Sequence, residues 1–225
     1  MHKRYWTPED YKNVIFEIRY KTPEGEALPN FKDPETAPVV YKLIDPQNYL
    51  VVMDDPELGF RHRGEVSQEF FKQIQNLEEA YSGMDVQDKF VYADELVEVL
   101  KFQLGFQIVY FKLGNDAILD RSDAPESEET KSVIRSNEQT IVKNFLIYLD
   151  EMSDEKHFGE AASNLADGIN VHFFKLIETF PNGNYQGMLS KAKVIANKVK
   201  IQENKAALSA LVGKLESMQK PVASK

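Results

Sequence analysis

The sequence contains no cysteine among its 225 residues. This absence excludes disulfide bonds, thiolate metal sites, iron-sulfur clusters and cysteine nucleophiles, because each of them needs a sulfur atom. The chain also lacks a run of about 18 apolar residues, which a membrane-spanning helix needs, and it has no N-terminal apolar stretch of signal-peptide length. We therefore expect a cytoplasmic protein without a membrane span.

Recognised cofactor and catalytic motifs are missing as well. The eleven glycines are scattered singly, so there is no Gly-rich phosphate loop and no dinucleotide fingerprint, and the zinc-protease, serine-hydrolase and calcium-loop patterns are absent. Any chemistry would have to rest on carboxylates, arginine, lysine and four histidines. We expect no bound cofactor and no metal ion, and we favour a protein that is not an enzyme.

Charge is distributed unevenly in this acidic chain. The 27 basic and 36 acidic residues give a formal net charge of -9. Residues 1–125 carry -9, residues 126–183 carry -6 and residues 184–225 carry +6. A polarised chain of this kind says more about association and solubility than about the fold.

Prolines crowd the first quarter of the chain, where seven of the ten occur. Because proline breaks helices, this quarter must consist of short elements. Two β-rich apolar runs, Val39 to Ile44 and Tyr49 to Met53, are separated by a sequence that favours a type I turn, with Asp45 followed by Pro46. The pattern predicts a β-hairpin in a small N-terminal region, residues 1–66. The segment from Val14 to Tyr20 suits a further strand after a short helix or turn.

The middle of the chain, residues 67–115, reads as a helical connecting region. Helical spacing of apolar residues predicts a helix over 67–82, with Ser67 as its N-cap. Residues 94–113 fit both a strand and a helix, and we favour the helix because Asp94 opens the stretch and Gly114 with Asn115 closes it. The polar residues that follow, 116–126, are the predicted linker.

The C-terminal part, residues 126–218, shows four amphipathic stripes. They predict helices over residues 127–151, 154–180, 184–200 and 201–218. Short connections favour antiparallel neighbours, so the predicted fold is mainly α, with a C-terminal antiparallel four-helix bundle and a small β-hairpin-containing N-terminal region (α+β). His172 lies on the apolar stripe of the second helix, where we expect a neutral core histidine. We expect residues 219–225 to form a disordered tail.

A polar cluster follows the predicted hairpin. It contains the paired acidic residues Asp54 and Asp55 and the basic run Arg61, His62 and Arg63, in what we predict to be a loop. Two arginines beside a histidine could bind a phosphate or carboxylate group. The same residues could equally form exposed ion pairs without any ligand.

Four lysines edge the apolar stripe of the predicted 184–200 helix. Lys191 and Lys198 lie on one flank, and Lys193 and Lys200 lie on the other. Their stems can cover apolar surface while the ammonium groups reach an acidic surface of the same chain, a second copy or a partner. No aromatic residue follows Tyr185 and no arginine follows position 135, which argues against membrane anchoring and base-specific nucleic-acid binding.

Taken together, these patterns favour a non-enzymatic binding or assembly module that acts through helical surfaces, by self-association as a homo-oligomer or with a protein partner. The alternative is an enzyme acting on a phosphate- or carboxylate-bearing small molecule at the loop with Asp54, Asp55, Arg61, His62 and Arg63. A third and weaker hypothesis is non-specific nucleic-acid binding through the C-terminal lysines.

Overall fold

The structure is a computed structural model, and its described part is mainly helical. It describes residues 58–82, 90–155 and 164–219, the strands Tyr20–Thr22 and Gly25–Ala27, and isolated positions at 34, 37, 38, 41, 44–46 and 55. The chain divides into two compact units, residues 1–117 and residues 118–225. Each unit is described below by itself.

A small antiparallel pair of strands is the β structure that the described residues contain. Strand β1, Tyr20–Thr22, pairs with β2, Gly25–Ala27, so that Tyr20 lies opposite Ala27. Tyr20 is thus in a strand at the end of the segment where we predicted one, and the residues before it lie outside the description.

The hairpin predicted at residues 39–53 is not supported by the structure. Tyr41, in its expected first strand, lies in a helical turn, and so does Pro38 before it. The backbone angle of proline suits the first turn of a helix, so Pro38 is compatible with this helical turn. The expected second strand, Tyr49 to Met53, lies outside the described residues.

Helix α1 spans Phe60–Ser82 and confirms the helix predicted over 67–82, but it begins seven residues earlier. Ser67 is not its N-cap. The Ser67 hydroxyl is buried inside the helix and donates a hydrogen bond of 2.6 Å to the Arg63 carbonyl oxygen, an alternative that serine uses in helix interiors. As a consequence, the basic run at 61–63 lies in the first turn of a helix and not in a loop.

Helix α2 spans Ala93–Arg121 and settles the ambiguous stretch 94–113 as a helix. Asp94 and Glu95 lie in its first turn, where negative charge stabilises the helix dipole. The expected stop at Gly114 is wrong, because the helix continues for seven more residues. An ion pair of 2.6 Å between Lys112 and Asp116 spans the glycine, and a single glycine costs a helix only about 1 kcal/mol. The first six residues of the predicted linker are therefore helical.

The N-terminal half of α2 is buried over most of its circumference, and a narrow stripe with Asp94, Glu98 and Lys101 is exposed or half-buried. Leu104 and Phe106, which point about 200° apart on a helix, are both completely buried. Helix α1 contacts α2 through stacked aromatic rings. The ring of Phe71 lies 5.9 Å from that of Phe106 and 5.5 Å from that of Tyr110, measured between centroids.

Helix α3 spans Glu128–Met152, in agreement with the predicted 127–151 helix. Ser127 is its N-cap, and the side-chain oxygen of Ser127 accepts a hydrogen bond of 3.1 Å from the backbone N–H of Thr130. Glu128 and Glu129 occupy the first turn, where the helix dipole favours negative charge. The apolar stripe therefore predicted this helix correctly, and the Ser127 cap accounts for where it begins.

The second predicted C-terminal helix, 154–180, is helical wherever it is described. It consists of α4, Asn164–Gly168, a π-helical segment, Ile169–Phe173, and α5, Phe174–Thr179. The backbone N–H of Phe174 bonds to the carbonyl of Ile169, five residues back. The element ends before Pro181, as predicted, and residues 156–163 lie outside the description.

The π segment corrects the expectation for His172. Leu165, Ile169, Phe173 and Ile177 are all buried and follow one another at steps of four. In a regular α-helix each such step rotates the stripe by about 40°, and the wider π turn takes up part of that drift. Phe173 thereby fills the core, whereas His172 is half-buried.

Helices α6, Gln186–Ala196, and α7, Gln202–Gln219, complete the unit. They run antiparallel, because the first residue of α6, Gln186, hydrogen bonds to the last residue of α7, Gln219. Helix α7 agrees with the predicted 201–218 helix. Helix α6 ends four residues before the predicted position 200, and residues 197–201 form a turn. Among the described helices, none is both long and apolar enough to cross a membrane.

Residues from all these elements share the apolar core of the C-terminal unit. The Phe145 ring of α3 meets the Phe173 ring of the π segment edge to face, with centroids 5.1 Å apart. Met188 of α6 and Leu208 and Leu211 of α7 are completely buried. Burying such side chains contributes about 1.5–3 kcal/mol each relative to leaving them exposed, so this core holds the helix faces that carry the lysines.

Candidate functional site

The arginines of the polar cluster lie on separate sides of α1. The Nε atom of Arg61 lies 3.0 Å from the Glu65 carboxylate, one helical turn away. The guanidinium group of Arg63 lies over the Phe60 ring, 4.6 Å from its centroid. Residues two positions apart on an α-helix point about 200° apart. This geometry separates the two guanidinium groups and does not favour the binding of one ligand by both.

The acidic half of the cluster is described only in part, since Asp54 lies outside the described residues. Asp55 is buried, and its carbonyl oxygen accepts a hydrogen bond of 3.2 Å from the backbone N–H of Leu58. His62, between the arginines, is half-buried. Within the described part of the chain, no three histidine or acidic side chains are arranged to hold a metal ion. The enzyme hypothesis at this cluster stays a prediction.

Two of the four singled-out lysines are engaged within their own unit. Lys191 Nζ lies 3.1 Å from the Asp150 carboxylate of α3 and donates a hydrogen bond of 3.3 Å to the Leu146 carbonyl oxygen. Lys193 Nζ lies 2.6 Å from the Glu216 carboxylate of α7. These side chains therefore join α6 to the two helices beside it.

The other two lysines, Lys198 and Lys200, do not lie on α6 as predicted but in the turn between α6 and α7. Asn197 caps the end of α6. Both lysines are exposed, and neither side chain forms an ion pair with another described residue. The early end of α6 thus divides the four lysines into an inner pair and an outward pair.

An exposed apolar surface lies between α3 and α6. Ile147 is 56% exposed and Val194 is 52% exposed. Ile147 precedes Asp150 by three residues and Val194 follows Lys191 by three, a spacing that makes helix residues surface neighbours. The Lys191 to Asp150 ion pair joins the two helices that carry these side chains, and the exposed side of α3 and α6 with Ile147 and Val194 is here called the α3–α6 surface.

Close contact between the two helices supports this arrangement. A Cβ atom on Gly187 would lie 3.4 Å from the Leu146 side chain, so the glycine lets α6 approach α3 closely. Ile147 and Val194 are not among the residues predicted from the buried apolar stripes. Single apolar residues on a protein surface are ordinary, so no sequence signal singles these two out.

A second polar cluster, which local sequence patterns do not reveal, surrounds the start of α7. The Glu155 carboxylate accepts hydrogen bonds from the backbone N–H groups of Lys200, at 2.7 Å, and Ile201, at 2.9 Å. It also accepts one of 3.4 Å from the side-chain amide of Asn204. The side-chain oxygen of Asn204, which is completely buried, accepts a hydrogen bond from the backbone N–H of Ala166.

These contacts change the acidity of Glu155. Partial burial alone would raise the pKa of its carboxyl group, but the hydrogen bonds from Lys200, Ile201 and Asn204 and the positive charge of Lys200 outweigh that effect. The pKa of Glu155 consequently lies below its ordinary value, as expected for a carboxylate that accepts several hydrogen bonds.

Tyr185 forms a third polar contact, at the start of α6. Its buried hydroxyl donates to the Phe180 carbonyl oxygen at 2.8 Å, with the Leu176 carbonyl oxygen at 3.3 Å. Burial raises the pKa of the Tyr185 phenol well above its ordinary value, and the negative charge of Glu138 raises it further. Tyr185 is therefore a neutral, structural donor.

Comparisons of the chain with protein-family models, with curated proteins and with solved structures give no match. Evidence about the function of this chain therefore comes from its own surfaces and contacts.

Proposed function

We propose that this chain is a non-enzymatic assembly module that self-associates through the α3–α6 surface. The C-terminal helices would form an up-and-down bundle that presents this surface. Two features support the bundle: α6 runs antiparallel to α7, and α6 runs in the same direction as α3, since Gly187 lies beside Leu146 and Lys191 beside Asp150.

The observation that carries the proposal is the exposure of an apolar side chain on each of two helices that contact each other. Ile147 and Val194 are more than half exposed, and Gly187 and Lys191 of α6 lie against α3. A second copy that covers both side chains would remove apolar area from water, at about 25 cal/mol per Å². Apolar residues at the centre of a contact with charged groups at its rim are typical of protein interfaces.

The outward lysines suit such a contact as rim residues. Lys198 and Lys200 follow the C-terminal end of α6 and are exposed. The chain as a whole carries -9, so a second copy offers acidic groups to them. Charges at the rim of an interface mainly orient the partners and speed their encounter, and we assign that role to these two lysines.

Sedimentation velocity on the full chain tests the proposal. We expect the wild-type chain to associate between about 1 μM and 100 μM, a range that corresponds to weak or moderate affinity. The double variant Ile147→Asp with Val194→Asp should remain monomeric, because association would bury two unpaired charges. The variant Lys198→Glu, which leaves Lys200 beside Glu155 unchanged, should associate more weakly, and salt should reduce that difference.

A matched control adds a charge elsewhere on the same unit. Ser209→Asp changes an exposed position of α7 and should leave the association constant unchanged. A wild-type chain that stays monomeric across the whole concentration range would contradict the proposal. So would equal association of the wild type and the Ile147→Asp, Val194→Asp variant.

A further inference from the structure

The cluster at the start of α7 joins parts of the chain that are far apart in sequence. Glu155 accepts a hydrogen bond from the backbone N–H of Ile201, which lies 46 residues later in the chain. Asn204 accepts one from the backbone N–H of Ala166, which lies 38 residues earlier. The first N–H groups of a helix have no partner within the helix. Here the nearest residues of α7 do not supply the acceptor, and a distant carboxylate does.

The chemistry of these contacts depends on the charge of one group. A carboxylate accepts hydrogen bonds from N–H donors about twice as strongly as a neutral acceptor does, and negative charge beside a helix N-terminus is favourable. Protonation of Glu155 would weaken both effects. The hydrogen bond from the Ala166 backbone N–H to Asn204 does not involve Glu155 and would remain.

We propose that Glu155 and Asn204 form an acid-sensitive latch, which holds the first turn of α7 in place and opens when Glu155 is protonated, before the rest of the unit unfolds. This inference concerns the coupling of α7 to the rest of its unit. It goes beyond self-association and does not depend on it.

Other charged groups surround the latch and must be considered in its response to pH. Those on the elements that meet here are Lys198, Lys200, Glu203 and Lys205 around the start of α7, Asp150, Glu151 and Asp154 at and after the end of α3, and Asp167 in α4. Lys156 and His157 follow Glu155 directly in the sequence. Of these groups, Lys200 stabilises the charged form of Glu155.

The direction of the pH effect follows from linkage. The pKa of Glu155 is lower in the folded chain than its ordinary value, so the latch contributes stability above the unfolded pKa. That stability is lost as the pH falls through the folded pKa. We therefore expect the latch to be closed at neutral pH and to open only at acidic pH.

Native-state hydrogen exchange of the full chain, followed by NMR, tests the latch. The amides of Lys200 and Ile201 report on it directly, and their protection is measured relative to unstructured peptides at each pH. We expect Glu155→Gln to lower the protection of these two amides about tenfold or more at neutral pH, since a hydrogen bond to a charged group contributes about 1.5–3 kcal/mol. Amides in the middle of α7 should keep their protection.

The pH series separates the latch from general acid unfolding. In the wild type, protection of the Lys200 and Ile201 amides should fall at a higher pH than protection of the core amides of α3 and α7. In Glu155→Gln this early loss should be absent, because no carboxyl group remains to titrate. If Glu155→Gln does not fold, the wild-type series decides alone, and simultaneous loss of protection at all sites overturns the proposal.

Two further variants assign the effect to Glu155. Glu203→Gln neutralises an exposed carboxylate close to the start of α7 and should leave both amides protected. His157→Asn removes the nearest histidine in the sequence and should leave the early loss of protection of the two amides in place. Unchanged protection in Glu155→Gln, or disappearance of the early loss in His157→Asn, would show that Glu155 is not the latch.

Discussion

Helices α2 and α7 differ in how much of their circumference is buried. A pair of residues two positions apart shows this difference in each helix. In α2, Leu104 and Phe106 point in nearly opposite directions and are both completely buried. In α7, Leu211 is completely buried while Gly213 is exposed. The first helix is buried over most of its circumference and leaves only a narrow stripe with Asp94 and Glu98 open, whereas the second is packed on one side. Substitutions should therefore be costly over a wider range of directions in the N-terminal half of α2 than in α7.

The largest expected loss of stability comes from substitutions on the wide buried face of α2. Leu104→Ala and Phe106→Ala should each lower the free energy of unfolding, by about 2–5 and 3–5 kcal/mol respectively, because each leaves a cavity in a packed core. Urea denaturation followed by circular dichroism measures both. In α7, Leu211→Ala should show a similar loss. A cost below about 1 kcal/mol for either α2 variant would mean that the side chain concerned is not tightly packed.

Smaller changes in the free energy of unfolding are expected at two buried polar groups, Tyr185 and Gln103. Tyr185→Phe removes a hydroxyl that donates to the Phe180 carbonyl oxygen and should cost about 0.5–1.5 kcal/mol. The side-chain oxygen of Gln103, in α2, has no hydrogen-bond donor among the residues that the structure describes. Gln103→Met, which keeps a similar volume, should be neutral or stabilising. Thermal unfolding of both variants separates the two cases, and equal destabilisation would contradict the contrast.

The Tyr185 contact also has a pH signature. Because the pKa of its phenol is raised in the folded chain, its contribution to stability is fully present below the unfolded pKa and is lost as the pH rises above about 10. The wild type should therefore lose more stability than Tyr185→Phe when the pH is raised through this range. Parallel curves for the two proteins would show that Tyr185 ionises as freely in the folded chain as in the unfolded one.

The smallest expected effect lies on the open face of α7. A methyl group at Gly213 would meet no atom within 4 Å, so Gly213→Ala should stabilise the chain by about 0.5–1 kcal/mol through helix propensity alone. Differential scanning calorimetry should show a higher melting temperature. A destabilised Gly213→Ala variant would indicate that this face is covered.

The contrast also explains what could be predicted from the sequence. Helices packed on one side carry a 3.6-residue apolar period, so α3 and α7 were predicted correctly, and Pro181 indicated the end of α5. In α2 the apolar residues cover most of the circumference and weaken that period, which is why residues 94–113 could be read as strand or helix. The start of α1 was predicted too late and the end of α2 too early, because Ser67 and Gly114, which were read as helix boundaries, lie inside helices.

The candidate sites were harder to predict for a different physical reason. The four lysines were recognised from their spacing, but the end of α6 at Ala196 moved Lys198 and Lys200 into a turn. The hydrogen bond between Glu155 and Ile201 joins residues far apart in the chain, and no local pattern specifies it. Contacts of this kind depend on tertiary packing, which a single sequence does not display.

The π segment at Ile169–Phe173 has a consequence for the length of the chain. A π turn contains one more residue than the α-helical turn that could replace it. Removing Val171, which is exposed, would change the buried steps of four, four and four into four, three and four, the spacing of an ordinary amphipathic helix. The segment thus gives this helix one spare residue, and natural variants of the chain could gain or lose it without moving either end of the helix out of register.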